Sequence, residues 1–192
     1  NDYAKWVVFD NEGIKIPTGI SSEELEPSSS GVGEIVATTL SNNKIVVAYT
    51  TTSPSGVTIK TFDLGGPTLV SSLVLPSGTM NNIAVEKLGS GLIIAGSTAS
   101  GGLITYLDGD LSYTFGTYAV STKTFTAQNN ITDISLAETV NQDVFITWRN
   151  DGIDQTGYYT IWDDTGSLEK NVTQIVNEDL DLVTKSKTGN GS

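Results

Sequence analysis

Two carboxylates three residues apart, Asp151 and Asp154, stand in the loop Asn150-Asp151-Gly152-Ile153-Asp154-Gln155-Thr156-Gly157. Ca2+ takes about six to eight oxygens from carboxylates, carbonyls and water, so this loop could hold Ca2+. The same Asp residues could instead bond their own backbone in Asx-turns. Asp108-Gly109-Asp110 and Asp163-Asp164 are weaker versions of the pattern, no full D-x-D-x-D-G loop occurs, and no other cofactor is implied. Glu34, Glu86 and Glu138 recur near the first strand of successive repeats. A glycosidase would need two carboxylates facing each other across a cleft, yet an acid a few residues into a strand is more commonly a solvated or capping group. The chain has neither His nor Cys, which removes the usual general base, the commonest transition-metal ligand and all thiolate chemistry. The expected chemistry is non-catalytic. Three sequons, at Asn130, Asn171 and Asn190, would be glycan acceptors in an extracellular setting. Trp6, Tyr113, Tyr118 and Trp162 are the rings on which a sugar could stack. Tyr113 and Tyr118 lie in the alternating aromatic segment Leu111 to Tyr118, which equally suits packing between repeats.

The elements that must position these residues are organised around Val144 to Gly166. Val144-Phe145-Ile146-Thr147-Trp148 is a short run of β-branched and aromatic residues, the pattern of a strand buried on both faces. The Asp151 loop reads as a hairpin connection, and Tyr158 to Trp162 is a second strand entering the turn Asp163-Asp164-Thr165-Gly166. The same grammar recurs upstream. Ile45 to Tyr49 and Leu92 to Gly96 take the place of the Phe145 run, with 47 residues from Tyr49 to Gly96 and 52 from Gly96 to Trp148. Each is preceded by an alternating strand, at Glu34 to Thr38, Asn82 to Glu86 and Asp133 to Ala137. A fourth copy of that first strand begins at Asp181-Leu182-Val183-Thr184, 48 residues after Asp133.

A period near 50 with about four strands and no helical segment predicts an all-β chain, a β-propeller-like array of four-stranded blades. A β-sandwich of meandering strands is the alternative, and it does not require self-similarity. The expected organisation is outer strands of a partial blade and a linker over 1–31, blades over 32–78, 79–128 and 129–178, and the first strand of a further or shared blade over 179–192. The N-terminal segment Tyr3 to Asp10 matches Tyr158 to Asp163, so the repeat is entered in its middle. Either the two ends share a blade or blades continue on both sides, and the second is preferred because the combined blade would lack an inner strand.

The net charge of −12 and a pI near 4.1 repel phosphate, so nucleic acid and anionic membrane surfaces are poor partners. No apolar segment is long enough for a transmembrane helix, and no signal peptide is present in the residues shown. Trp148, Asp151-Gly152, Asp154, Gly157-Tyr158 and Trp162-Asp163 followed by Gly166 resemble the W-x-x-D-G-x-D-x-x-G-Y...F-D-x-x-G repeats of large secreted and cell-surface proteins, RTX-type adhesins among them. The likeness is sharp in the third repeat. In the first two the Asp-Gly-x-Asp loop is missing and Tyr49 and Gly96 replace the Trp. The resemblance implies a propeller-like scaffold and an extracellular, cell-surface location, without assigning an activity. The expected function is a structural or adhesive module, a segment or subunit of a surface assembly or filament, whose partners are neighbouring repeats or further copies. A carbohydrate-binding, lectin-like propeller that takes glycans is the alternative, and a glycosidase-like propeller comes third.

Overall fold

Runs of β-branched and aromatic residues separated by Gly, Ser, Asn and Pro become strands in the computed structural model of the chain, which describes residues 12–14, 31–40, 44–52, 55–63, 68–75, 80–89, 91–107, 120–152, 155–163 and 167–175. Every regular element among them is a strand. The first sheet contains β1 (Val32–Thr39), β2 (Lys44–Thr52), β3 (Ser55–Asp63) and β4 (Thr68–Leu75). The second contains β5 (Asn81–Leu88), β6 (Gly91–Thr98), β7 (Gly101–Leu107) and β8 (Val120–Thr126). The third contains β9 (Ile131–Glu138), β10 (Val144–Asn150), β11 (Gly157–Trp162) and β12 (Leu168–Gln174). Each is an antiparallel meander in which sequence neighbours pair, so the all-β expectation and the four strands per repeat both hold. The outer strand of the second sheet is Val120–Thr126. The aromatic segment at 111–118, expected in that outer part, lies outside the described residues.

The sheets stack in chain order, and their closest approaches are between first strands, β1 with β5 and β5 with β9. Alternation of side chains along each strand gives the second sheet one face toward the first and one toward the third. Val46 and Ala48 of β2, Val57 and Ile59 of β3 and Leu75 of β4 meet Ile83, Val85, Leu92, Ile94 and Leu107 of the second sheet in one core. The opposite face of the second sheet, with Ile93, Ala95, Ile104, Tyr106 and Phe125, meets Ile131, Val144, Ile146, Trp148 and Trp162 of the third. A third cluster, Val47, Tyr49 and Phe62, lies on the other face of the first sheet. Burial on both faces therefore holds for the middle of β2, Val46 to Tyr49, and for nearly all of β6.

The third repeat departs from expectation. In β10, Val144, Ile146 and Trp148 are buried but Phe145 and Thr147 are only half-buried, because no further sheet covers that side among the described residues. The strand predicted to be buried on both faces is buried on one.

Gly96 shows why a ring can be lost from the repeat. It holds the position of Tyr49 and Trp148, and Met80, fully buried, fills the space a ring would take. A Cβ at residue 96 would lie 3.0 Å from both Cβ and Sδ of Met80 and 3.2 Å from Cγ2 of Ile83. The side chain that closes this core comes from the strand entrance, so the sheet has been repacked around an absent ring.

Candidate functional site

Each first strand carries a bulge at the same end, opposite the second strand: between Val32 and Ile35, between Asn81 and Ala84, and opposite Trp148. A bulge re-aims side chains, and here it places Glu34, Asn82 and Asp133 at matching positions. Asn82 and Asp133 adopt left-handed φ values of 47° and 52°, a conformation Asn and Asp tolerate better than most residues. The Ile83 N–H donates to Glu34 Oε2 at 2.8 Å, which links the first sheet to the second. Asn82 Nδ2 donates to the Ile131 carbonyl at 3.0 Å, which links the second to the third, and to Ser97 Oγ at 3.1 Å. Asp133 instead pairs within its own sheet, its Oδ2 lying 3.0 Å from Arg149 Nη1.

Arg149 joins this row to the predicted Ca2+ loop, since its Nε donates to Asp151 Oδ1 at 2.6 Å. That hydrogen bond, more than the charge of Arg149, holds the Asp151 carboxyl below the usual carboxylate range, and Asp151 in turn raises Arg149. The loop is closed by local bonds. Gly152 N–H donates to Asn150 Oδ1 at 2.8 Å in an Asx-turn, and Asp151 N–H donates to the Asn130 carbonyl at 2.8 Å. The turn acceptor is thus Asn150, while the Asp151 side chain faces a guanidinium. Among the described residues no three acidic side chains converge as a metal site, and position 154 lies outside them.

Between the ends of the second and third sheets these residues border an open recess of about 510 Å³. Its walls are polar, with Asn81, Asn82, Ser97, Asn130 and Asp151 prominent. Amides, hydroxyls and one carboxylate can exchange hydrogen bonds with a hydroxyl-rich ligand, and the described residues that line the recess include no aromatic ring and no second acid.

The three glutamates are used differently from a catalytic pair. Glu34 sits at the start of β5, whereas Glu138 accepts the Gly89 N–H at 2.8 Å beyond its end. Six residues of extended chain separate those two contacts, ~20 Å at the usual rise, well past the separation of glycosidase acids, at most ~9.5 Å. Glu86 accepts the neighbouring Lys87 N–H at 3.1 Å, and Lys87 Nζ approaches Glu138 at 3.9 Å.

Trp162 is 7 % exposed and belongs to the core between the second and third sheets. Its ring is turned away from solvent. Asn130 and Asn171 are exposed, the first before β9 and the second on β12. Positions 6, 113, 118 and 190 lie outside the described residues. Sequence reasoning missed Arg149 as the hub between Asp133 and Asp151, and Asn82 as an inter-sheet link. The one visible signal for Asn82 is the recurrence of a polar residue just before Ile35, Ile83 and Ile134. No protein-family model matches the chain, and a search of curated proteins gives no match either.

Proposed function

We propose that this chain is a non-catalytic structural or adhesive module of an extracellular surface, built from blades of a propeller-like array. The observation that carries the reading is the use made of the recurring polar residues: Glu34, Asn82 and Glu138 each spend a side-chain atom on the backbone of a neighbouring sheet. Groups placed in this way hold sheets in register rather than standing opposite one another as a catalytic pair. Meander order and the close approach of successive first strands favour a propeller over two sheets of a sandwich. The acidic, Cys-free and His-free composition suits a module that stays soluble at a surface and does no redox or zinc chemistry.

The test is to treat intact source cells with a membrane-impermeant amine reagent and map the modified lysines by mass spectrometry. Lys170, on the exposed edge strand β12, should be labelled without lysis. Labelling only after the cells are broken would overturn the extracellular assignment.

A second reading, carbohydrate binding, is favoured by the polar recess beside Asn82, Asn130 and Asp151. Binding there would depend on amide and hydroxyl contacts in place of ring stacking. A glycan array probed with the native chain and with Asn82→Ala tests it: retention lost in the variant supports the recess, and no retention by the native chain removes it.

A further inference from the structure

The outer strands of the second and third sheets, β8 and β12, flank an open groove of about 640 Å³, within the ~300–1,000 Å³ of pockets that hold small ligands. Phe125 of β8 is its floor, 4 % exposed and fixed edge-on against Trp148 with ring centroids 5.0 Å apart. Leu168 and Val172 of β12 line the same groove and are 45 % and 40 % exposed. Apolar surface left open beside a groove is where a partner group is met.

A bulge brings an amide into this groove. Tyr159 pairs with Thr173 and Ile161 with Lys170, so two residues, Asn171 and Val172, stand against Thr160 alone. Neighbours in a regular strand point to opposite faces. Here the bulge re-aims them, and both line the groove. Thr160 Oγ1 pins the distortion by donating to the Lys170 carbonyl at 2.6 Å. Thr173, whose hydroxyl completes the sequon Asn171-Val172-Thr173, donates to the Asn171 carbonyl at 3.0 Å. The bulge, with Glu169 and Lys170 exposed beside it, also blunts the β12 edge against pairing with a strand of another chain. The sequon at Asn130 is placed otherwise. Asn130 has a left-handed φ of 57°, its carbonyl accepts the Asp151 N–H at 2.8 Å, and its Nδ2 lies 3.8 Å from the position a Cβ on Gly152 would take. A sugar on that amide would stand against the backbone of the Asp151 loop, and the Thr132 hydroxyl of that sequon is buried.

We propose that Asn171, in preference to Asn130, carries an N-linked glycan whose first sugar lies in the groove with its C–H face on Leu168 and Val172. The acceptor and the apolar surface occupy one groove, so attachment delivers the ring to the surface it covers. In the transfer, a bond forms between Asn171 Nδ2 and the anomeric carbon of a lipid-linked glycosyl phosphate. The anomeric C–O bond breaks, the phosphate leaves with the electron pair, and the amide gives up one proton. The proposal rests on the extracellular reading above. Lys170 labelled on intact cells with Asn171 bare would remove the glycan and leave that reading standing.

Glycopeptide mass spectrometry of the protein purified from its source cells is the first test. Asn171 should be occupied and Asn130 bare. A bare Asn171, or equal occupancy of both, overturns the assignment. Seating in the groove is tested by hydrogen exchange of peptides covering 167–175. Asn171→Gln, made in the same cells, should speed their exchange by about tenfold, while peptides from 91–98 in β6 keep their protection. Leu168→Ser with Val172→Ser keeps the acceptor and Thr173, so the glycan should remain. In that background Asn171→Gln should change exchange by less than about twofold, because the sugar has lost its surface. An equal effect of Asn171→Gln in both backgrounds, or none in the native one, shows a glycan held in solvent and refutes the seating.

Discussion

Met80 and Gly96 should be thermodynamically coupled, because one side chain occupies the room another would need. An added Cβ at residue 96 meets Met80 Cβ and Sδ at 3.0 Å and Ile83 Cγ2 at 3.2 Å, against ordinary carbon contacts of about 3.5–4.0 Å. Overpacking of this kind costs ~1–3 kcal/mol. The reduced entropy of the unfolded chain on Gly→Ala returns ~0.4–1 kcal/mol, so the steric term wins and Gly96→Ala should lose about 1–2 kcal/mol net. Met80 is fully buried, and Met80→Ala should lose ~2–5 kcal/mol by leaving a cavity. In the double variant the new methyl enters the space Met80 has left, so the combined loss should fall short of the sum by about 1–2 kcal/mol. Urea unfolding of all four proteins, followed by circular dichroism, gives the cycle. Losses that add to within ~0.5 kcal/mol, or a Gly96→Ala variant more stable than the native chain, would refute the account of how the second sheet closes without a ring.

Three further substitutions probe other parts of the structure. Glu34→Ala leaves the Ile83 N–H without its 2.8 Å acceptor and should cost ~1 kcal/mol, the low end for an orphaned donor because Glu34 is exposed; Glu34→Gln, which keeps an oxygen there, should cost less, and equal losses would contradict the link. Tyr106 has a buried hydroxyl with no hydrogen-bond partner among the described residues, and burial, reinforced by the charge of Asp163, pushes its ionisation far up; Tyr106→Phe should be neutral or stabilising by up to ~1 kcal/mol, so a fall in melting temperature would reveal a missed partner. Arg149→Ala should return the Asp151 carboxyl upward to the ordinary range in an NMR titration, since the Arg149 hydrogen bond is the main cause of its depression. A carboxylate depressed on folding contributes stability above its unfolded pKa that is lost as pH falls through the folded one, and solvent screening of this exposed pair keeps that contribution small.

The strands were legible because the information is local. Ile45 to Tyr49, Leu92 to Gly96 and Val144 to Trp148 announce themselves by β-branched and aromatic content, and Gly, Asn and Asp mark where each ends. The repeat period then carried the reading from strands to four-stranded sheets. What the sequence could not show depends on partners far along the chain. Met80 fills the gap at Gly96 from sixteen residues upstream, and Glu34 meets an amide 49 residues away. Nothing in the local sequence of Glu34, Glu86 and Glu138 separates a stapling acid from a catalytic one. The Asp-Gly-x-Asp loop drew attention to Asp151 as a metal ligand, yet its nearest charge is Arg149, two residues before it. The outer strand of the second sheet is not legible in the same way, since the aromatic run at 111–118 and the Thr-rich β8 both alternate, and alternation alone does not choose between them.

The central claim is that face-to-face packing makes these sheets one rigid scaffold. Urea unfolding of a Trp6→Phe chain tests it most directly, because the remaining tryptophans, Trp148 and Trp162, both lie in the core between the second and third sheets. Their fluorescence and the far-ultraviolet circular dichroism of the whole chain should give one coincident transition. Fluorescence lost at clearly lower urea than the sheet signal would contradict the claim, showing that the third sheet separates from the others as an independent unit.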